Sequence, residues 1–389
     1  MNILHIIPGL TCERGGPTAV VQALVRHQIA AGHAVTVLTT DQGLRHGETE
    51  AVLDAQARLG RVAVRGPDRL AYAPALRGAV REQVRHCDIV HVHSIFTYPV
   101  HVALREALAA GVPVVLRPCG QLNPRCTRKT AWPKRAYLWL YGSIIREACS
   151  MWHFTSEREA AESWPHDASR RFILPIGVNV SSQILDRRQA RQTVEHCWPQ
   201  LEGRPFVLFL GRIDPIKRLD LLLPAFLAGA PSSHRLVAAG PDTAGIWRQL
   251  ADRYLRGAAA RRVHWVGMVD GELKAALLAA ADLFVLPSEH ENFGIAAVEA
   301  LAAGTPVLLS SGVDLAAETA RAGWGEPVPL TVAAWQERLA TILAAGDDGR
   351  AEERRQWVAE HYSWARISAA LMQHYAEIAR PTSAGAGRR

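Results

Sequence analysis

Apolar residues in this chain fall into short continuous runs separated by longer segments with helical spacing. The first run is NILHII at 2–7, followed by a Gly-Gly-Pro turn and a helix expected over about 17–31. Pro17 opens that helix, Gly32 closes it, and a strand AVTVLTT follows at 34–40. Proline in a first turn and glycine just past a last one are the usual punctuation. Further strands are expected at 61–64, 88–93 (DIVHVH), 112–117 (VPVVLR) and 151–155, with helices between. Runs this short and this uniformly apolar fit a parallel sheet covered on both faces.

The alternation restarts in the second half. Strands are expected at 206–212 (FVLFLGR), 235–240, 263–267 (VHWVG), 282–287 (DLFVLP) and 306–310. Helices are expected near 218–228, 244–257, 271–280 and 293–303, and again over the tail, 351–379. The final PTSAGAGRR reads as disordered. Two such series imply an α/β chain with two Rossmann-like doubly wound parallel-sheet domains. The expected division is 1–180 and 181–360, with a tail helix at 361–380 packing back on the first domain. The seam lies in the polar, Arg-rich stretch near 175–204. Ligands of such folds bind outside the carboxyl ends of the strands, so a central cleft between the two sheets is the expected site.

Composition narrows the class. The chain has 389 residues, 49% of them hydrophobic and 21% charged, enough for a core in each half. The longest apolar stretches, 275–287 and 293–309, are interrupted by Asp282 and Glu299, so no run reaches the roughly 20 residues of a membrane span. The N-terminus reads directly as a strand, without a signal-peptide pattern. The six cysteines are scattered without a zinc-knuckle spacing and read as reduced thiols. A cytoplasmic protein is the expectation.

Charge is uneven. Residues 1–180 carry 21 Lys+Arg against 14 Asp+Glu, whereas 181–389 carry 23 of each. Within the first half, 117–146 has seven basic residues and no acid, interleaved with Trp132, Tyr137, Trp139 and Tyr141. This fits a phosphate-bearing partner or an anionic membrane surface. It equally fits a solvated helix face with buried aromatics. No nucleic-acid partner is expected.

Three constellations carry candidate chemistry. Gly15-Gly16-Pro17 stands between the first strand and first helix, as an anion site at a helix N-terminus or as a plain tight turn. GRIDPIKR at 211–218 places Gly211, Arg212 and Lys217 just past a strand. Two cations there suit a departing diphosphate, or else a solvated loop. The chain has no Asp-x-Asp sequence to present a divalent metal, so no metal or other cofactor is expected. The third is PSEHENFGIAAVEALAAGTPV, 287–307, with Glu291 at the opening of a helix and Glu299 eight residues on. Along one helix these stand roughly 12 Å apart. That exceeds the roughly 5–9.5 Å of two carboxylates sharing one glycosidic bond. It suits carboxylates gripping two ends of an elongated ligand, with the amides of Asn292, Phe293, Gly294 and Ile295 facing a diphosphate. The plain alternative is a capped amphipathic helix.

GRIDPIK, VHWVGMV and LPSEHENFGIAAVEALAAGTPV resemble the retaining glycosyltransferases of family four, which have the GT-B fold. ILHIIPGLTCERGGPTAVVQAL, GHAVTVLT, DIVHVHS and the YSW at 362–364 are similar to the same family, so the resemblance covers nearly the whole chain. It implies a metal-independent hexosyltransferase that moves a sugar from a UDP- or GDP-linked donor to a saccharide acceptor. A lipid-linked acceptor in exopolysaccharide or lipopolysaccharide assembly suits the basic first half, with the enzyme peripheral on the inner face of the cytoplasmic membrane.

The resemblance further implies that Arg212 and Lys217 bind the diphosphate, with Gly16 approaching it from the first domain. Glu299 would bind the ribose, and Glu291 with its neighbouring amides the sugar and phosphate. Gly267 and Met268 would line the base pocket. Catalysis would rest on Glu291, Arg212 and Lys217. The acceptor side would comprise Cys119, Gly120 and Gln121 in RPCGQLNP, together with His93. Many relatives carry histidine where this chain has Cys119, and a thiol is a poor substitute for imidazole. His91 and His93 read either as site residues or as satisfied core histidines. Two other functions share this architecture, a nucleotide-sugar epimerase and a non-catalytic sugar-nucleotide binding protein.

Overall fold

The computed structural model describes residues 1–12, 15–123, 131–163, 168–180 and 185–379. Arg125, Cys126, Arg128 and Lys129 of the basic segment, and the 381–389 tail, lie outside the described residues. The chain forms two compact units, Met1–Gly177 with Trp364–Arg389, and Val178–Ser363.

The first unit is built on seven parallel strands. They are β1 (Asn2–Gly9), β2 (Ala34–Thr40), β3 (Arg58–Val62), β4 (Ile89–His93), β5 (Val114–Arg117), β6 (Cys149–Phe154) and β7 (Arg171–Ile173), ordered β3-β2-β1-β4-β5-β6-β7. Between them run α1 (Gly16–Ala30), α2 (Leu76–Gln83), α3 (Tyr98–Ala110), α4 (Ala131–Ala148) and α5 (Glu157–Glu162). Every residue of β4 and β5 is buried, as the uninterrupted apolar runs require.

The second unit opens with α6 (Arg187–Cys197). Five parallel strands follow: β8 (Phe206–Leu210), β9 (Arg235–Ala239), β10 (Val263–Trp265), β11 (Leu283–Leu286) and β12 (Val307–Leu309), ordered β10-β9-β8-β11-β12. Its further helices are α7 (Leu219–Gly229), α8 (Ile246–Tyr254), α9 (Gly271–Ala280), α10 (Ile295–Ala302), α11 (Ala316–Arg321), α12 (Val332–Ala345) and α13 (Ala351–Tyr362). Asp186 caps α6 by accepting from the amides of Arg188 and Gln189 at 2.8 and 3.2 Å. Asp282 then holds the helix to the sheet, pairing with Arg187 at 2.6 Å and Arg191 at 3.0 Å while accepting from Phe206 N at 2.6 Å.

A last helix, α14 (Trp364–Ile378), belongs to the first unit. The expected single tail helix is thus two helices, broken at Ser363, whose extended backbone ends α13. Among the described residues no helix is long and apolar enough to cross a membrane.

Each sheet turns back on itself at one place. In the first unit the chain builds outward from β1 to β3 and then restarts beside β1 with β4. In the second it builds from β8 to β10 and restarts beside β8 with β11. These switch points, between β1 and β4 and between β8 and β11, are where loops diverge at the carboxyl edge and leave room for a ligand.

Candidate functional site

The two conspicuous motifs of the second half leave from the two strands that flank its switch point. The loop after β8 begins at Gly211. Asp214 opens a single 3-10 turn, Pro215–Lys217, accepting from Ile216 N at 3.0 Å, with its other oxygen 3.6 Å from Arg212 Nη2. Arg212 is more than half exposed, so its guanidinium can meet an anion. Lys217 ends the turn, and its Nζ donates to Glu291 Oε2 in the loop after β11. Backbone bonds fix the same two loops together, Glu289 N donating to Ile216 O at 2.8 Å.

Glu291 is held at its backbone as well as its side chain. Its amide donates to Gly312 O at 3.0 Å, and its carbonyl accepts from Asp314 N at 3.1 Å. Gly294 follows in the left-handed region (φ 93°) and starts α10. A Cβ there would meet Val313 Cγ1 at 3.1 Å, so glycine serves both the turn and the close packing. Phe293 is buried, its ring centroid 5.9 Å from that of Tyr362. It anchors the loop from behind and can offer a ligand only its amide. The first turn of α10 presents the positive end of the helix, Ala297 N making the first bond back to Gly294 O at 2.9 Å.

Glu299 lies on α10 and accepts from Lys274 Nζ, on α9, at 2.6 Å. The two carboxylates therefore sit in matched ion pairs, each with one lysine and each about a quarter exposed. The sequence placed Glu291 and Glu299 along one helix, but the helix begins only at Ile295. Helical rise accounts for about 6 Å, from Ile295 to Glu299, and the rest of the separation is loop.

On the other side of β8, the strand ends are stitched together through glycines. Gly211 N donates to Ala239 O at 2.9 Å, and Gly240 N to Gly267 O at 2.7 Å. Gly240 has φ 136°, and a Cβ on it would fall within the contact radius of the Gly211 carbonyl. Trp265 locks the same corner, its Nε1 donating to Gly240 O at 2.9 Å. Trp265 and Met268 are 40% and 49% exposed, giving an apolar surface beside Gly267 on which a planar base could rest.

The structure thus gathers Gly211, Arg212, Lys217, Gly267, Met268, Glu291, the 292–295 amides and Glu299 at the carboxyl edge of one sheet. Asp214, Gly240, Trp265 and Lys274 join them without having been assigned from sequence. Asp214 had a signal, since Asp before Pro at a turn is a capping pattern. Trp265 stood inside a quoted motif. Lys274 had none, because its partner lies on another helix.

In the first unit, Gly15 (φ 62°) opens α1 without a side-chain cap, and Gly16 is the first helical residue. Ser94 (φ 82°), Cys119 (φ 54°) and Gly120 (φ 73°) put left-handed residues just past β4 and β5. Backbone strain of this kind persists only where the surroundings hold it. Gln121 Oε1 accepts from Ser94 Oγ at 2.9 Å and Ile95 N at 3.0 Å, tying the two loops. The buried Glu159 accepts from Gly120 N at 2.6 Å and from both Thr155 N and Oγ1 at 2.7 Å. Burial pushes the Cys119 thiol up, with Arg117 opposing and Glu159 adding to it, so it is not a ready thiolate.

His93 is fully buried and faces the interior. Its Nε2 lies 3.0 Å from His5 Nδ1, and His5 Nε2 lies 2.8 Å from Gln28 Oε1 on α1. His91 contacts Tyr375 OH at 2.6 Å through Nδ1 and His153 at 3.4 Å through Nε2. Desolvation lowers all four histidines, His5 to about 4 and His153 to about 3, so the cluster is neutral near pH 7. His5, His91 and His93 place ligand atoms within 4.8 Å of one another; both ring nitrogens of His5 and His91 have the partners just described, whereas His93 Nδ1 is buried without one.

Residues 196–364 match the family described as glycosyl transferases group 1, and residues 15–177 match the glycosyl transferase 4-like domain. The chain belongs to the family-four glycosyltransferases. Its two doubly wound parallel sheets are the GT-B fold of that family.

Among glycosyltransferase relatives, the D-inositol 3-phosphate glycosyltransferase of Nocardia farcinica is 30% identical over 247 residues, 60% of this chain and 53% of the relative. The chain spans about half the length of the D-inositol 3-phosphate glycosyltransferases it matches. The GDP-mannose:cellobiosyl-diphosphopolyprenol alpha-mannosyltransferase of Xanthomonas campestris is 26% identical over 394 residues, 96% of each chain. The crystal structure of Anabaena HepE with UDP and glucose superposes with a TM-score of 0.73 at 16% identity, covering 97% of this chain and 100% of that one.

Proposed function

We propose that this protein transfers a hexose from a UDP- or GDP-linked donor to a saccharide acceptor carried on a lipid diphosphate, with retention at the anomeric carbon. The observation that carries the reading is the switch-point geometry of the second unit: exposed Arg212, the Lys217–Glu291 pair and the start of α10 converge where a diphosphate would sit. In this reading Arg212, Lys217 and the α10 amides receive the negative charge that develops as the bond from C1 to the diphosphate oxygen breaks. The acceptor hydroxyl bonds to C1 on the same face and its proton passes to the departing diphosphate. Glu291 orients Lys217 and meets the donor sugar. Glu299, held by Lys274, accepts from the ribose hydroxyls. Trp265 and Met268 flank the base. The cations and helix end would serve without a divalent metal, so transfer should persist in chelator. The neutral Cys119 thiol supports positioning over a covalent role on the acceptor side.

The acceptor class is supported by the end-to-end likeness to an enzyme named for GDP-mannose and cellobiosyl-diphosphopolyprenol. Polysaccharide assembly is the setting that class implies. The direct test is a thermal-shift screen of UDP-, GDP- and ADP-sugars. A donor at a hundred times its Kd should stabilise the protein by about 2.7 kcal/mol. A melting temperature unmoved by every nucleotide-sugar would refute the reading.

A further inference from the structure

Helix α4 carries an outward face that is exposed among the described residues. Trp132 is 80% exposed, Trp139 84% and Leu140 57%. Large side chains this exposed are uncommon on a soluble surface, and a cluster of them marks a contact. They are not loose. The opposite face is fixed to the first unit by Ile145 in the core, by Tyr137 against Phe96 (centroids 5.4 Å) and by Tyr141 against His101 (4.3 Å). That packing determines which face points out.

Helical geometry aligns the exposed residues. Trp132 and Trp139 are seven residues apart, two turns and about 10.5 Å along the axis, so both lie on one line. Ser143 continues that line, Leu140 flanks one side, and the exposed Arg135 and Arg146 flank the other. Lys134 belongs to the packed side, its Nζ 5.1 Å from the ring centroid of the same Phe96. Glu147, in the last turn, is the one acid of the helix. Tryptophans on one face with arginines beside them form the pattern of a helix lying in a membrane interface, indoles among the headgroups and guanidiniums on anionic lipid.

We propose that this face of α4 docks the protein on an anionic lipid bilayer, the helix axis parallel to the surface. The face belongs to the first unit and the donor site to the second. It gives purpose to the glycosyl-transfer reading, since a lipid-linked acceptor is reached only at a membrane, but does not depend on it.

The test uses the purified full chain and sedimentation with phosphatidylcholine vesicles, with and without phosphatidylglycerol. Binding is expected to the anionic vesicles and to weaken as salt is raised. Trp132→Ser and Trp139→Ser should each lower the partition coefficient about tenfold, and Arg135→Gln several-fold. Because the two tryptophans are exposed, both variants should melt with the wild type. Brominated lipid should quench tryptophan emission in the wild type and much less in the double variant. Failure of the wild type to sediment would overturn the proposal, as would undiminished sedimentation of the double variant. A wild-type dimer that the double variant splits would also overturn it, because a second copy would then cover the face. Transfer to a soluble acceptor reads the donor site separately and should be unchanged in these variants.

Discussion

Lys217 and Glu291 stand 74 positions apart in the chain and touch through their charged ends. Each belonged to a string legible in the sequence, and the strand-end positions of both strings followed from the alternation of patterns. Their direct pairing did not, because it depends on β11 returning to lie beside β8. The same holds for Lys274 and Glu299, where only Glu299 stood in a readable motif. Replacing Glu291 with Ala should abolish transfer while largely sparing nucleotide binding, since it frees Lys217 without removing the diphosphate cations. Arg212→Ala should lower kcat/KM at least about 100-fold through lost charge stabilisation. Steady-state kinetics beside calorimetric titration of the nucleoside diphosphate separates these two effects, and equal losses in both for Glu291→Ala would contradict its role.

At the scale of elements, the central strands were legible because buried parallel strands are uninterrupted apolar runs, whereas at the edges β3 starts at Arg58 instead of the expected 61 and β7 (Arg171–Ile173) was not expected, because neither RLGRV nor RFI is such a run. Helix starts were less so. The expected helix at 293–303 begins at Ile295 because Gly294 takes a left-handed turn. Helix α6 was hidden in an Arg-rich stretch read only as a seam. It buries just Ala190 and Val194, too narrow an apolar stripe to register. Two glycines at the site set element geometry. Gly240→Ala should destabilise the second unit by about 2–4 kcal/mol, since its Cβ would press on the Gly211 carbonyl. Gly294→Ala should cost about 1–2 kcal/mol for its left-handed backbone and impair turnover beyond that loss. Urea unfolding and kinetics of both variants check the ranking, and a fully stable Gly240→Ala would show the corner to be more yielding than described.

At the scale of the whole chain, the first unit is closed by its last helix. The backbone leaves that unit at Gly177 and returns at Trp364, whose ring lies against Gly177. Tyr375 of α14 then reaches His91 in the sheet at 2.6 Å. Tyr375→Phe leaves a buried imidazole nitrogen without that partner and should cost about 1–3 kcal/mol. The histidine core beneath it makes stability depend on pH. With His5 at about 4 and His153 at about 3, the native protein takes up protons at lower pH than an unfolded chain with histidines near 6.5. This stability is fully present above about pH 6.5 and is lost as pH falls toward 4, by about 1.4 kcal/mol per pH unit for each such histidine. Unfolding midpoints measured from pH 7 to 5 should therefore fall steeply, and a flat profile would contradict the buried neutral cluster. From sequence His91 and His93 could be read as site or core, because a strand pattern does not reveal which helix covers it.

The central claim is that the carboxyl edge of the second sheet delivers a sugar from a nucleotide to an acceptor. Mass analysis of products addresses it most directly, with the protein incubated with the nucleotide-sugar that shifts its melting temperature and a diphosphopolyprenol-linked saccharide. The expected result is one nucleoside diphosphate released for each acceptor that gains one hexose. Isomerised nucleotide-sugar formed without acceptor, or donor and acceptor both recovered unchanged, would contradict it.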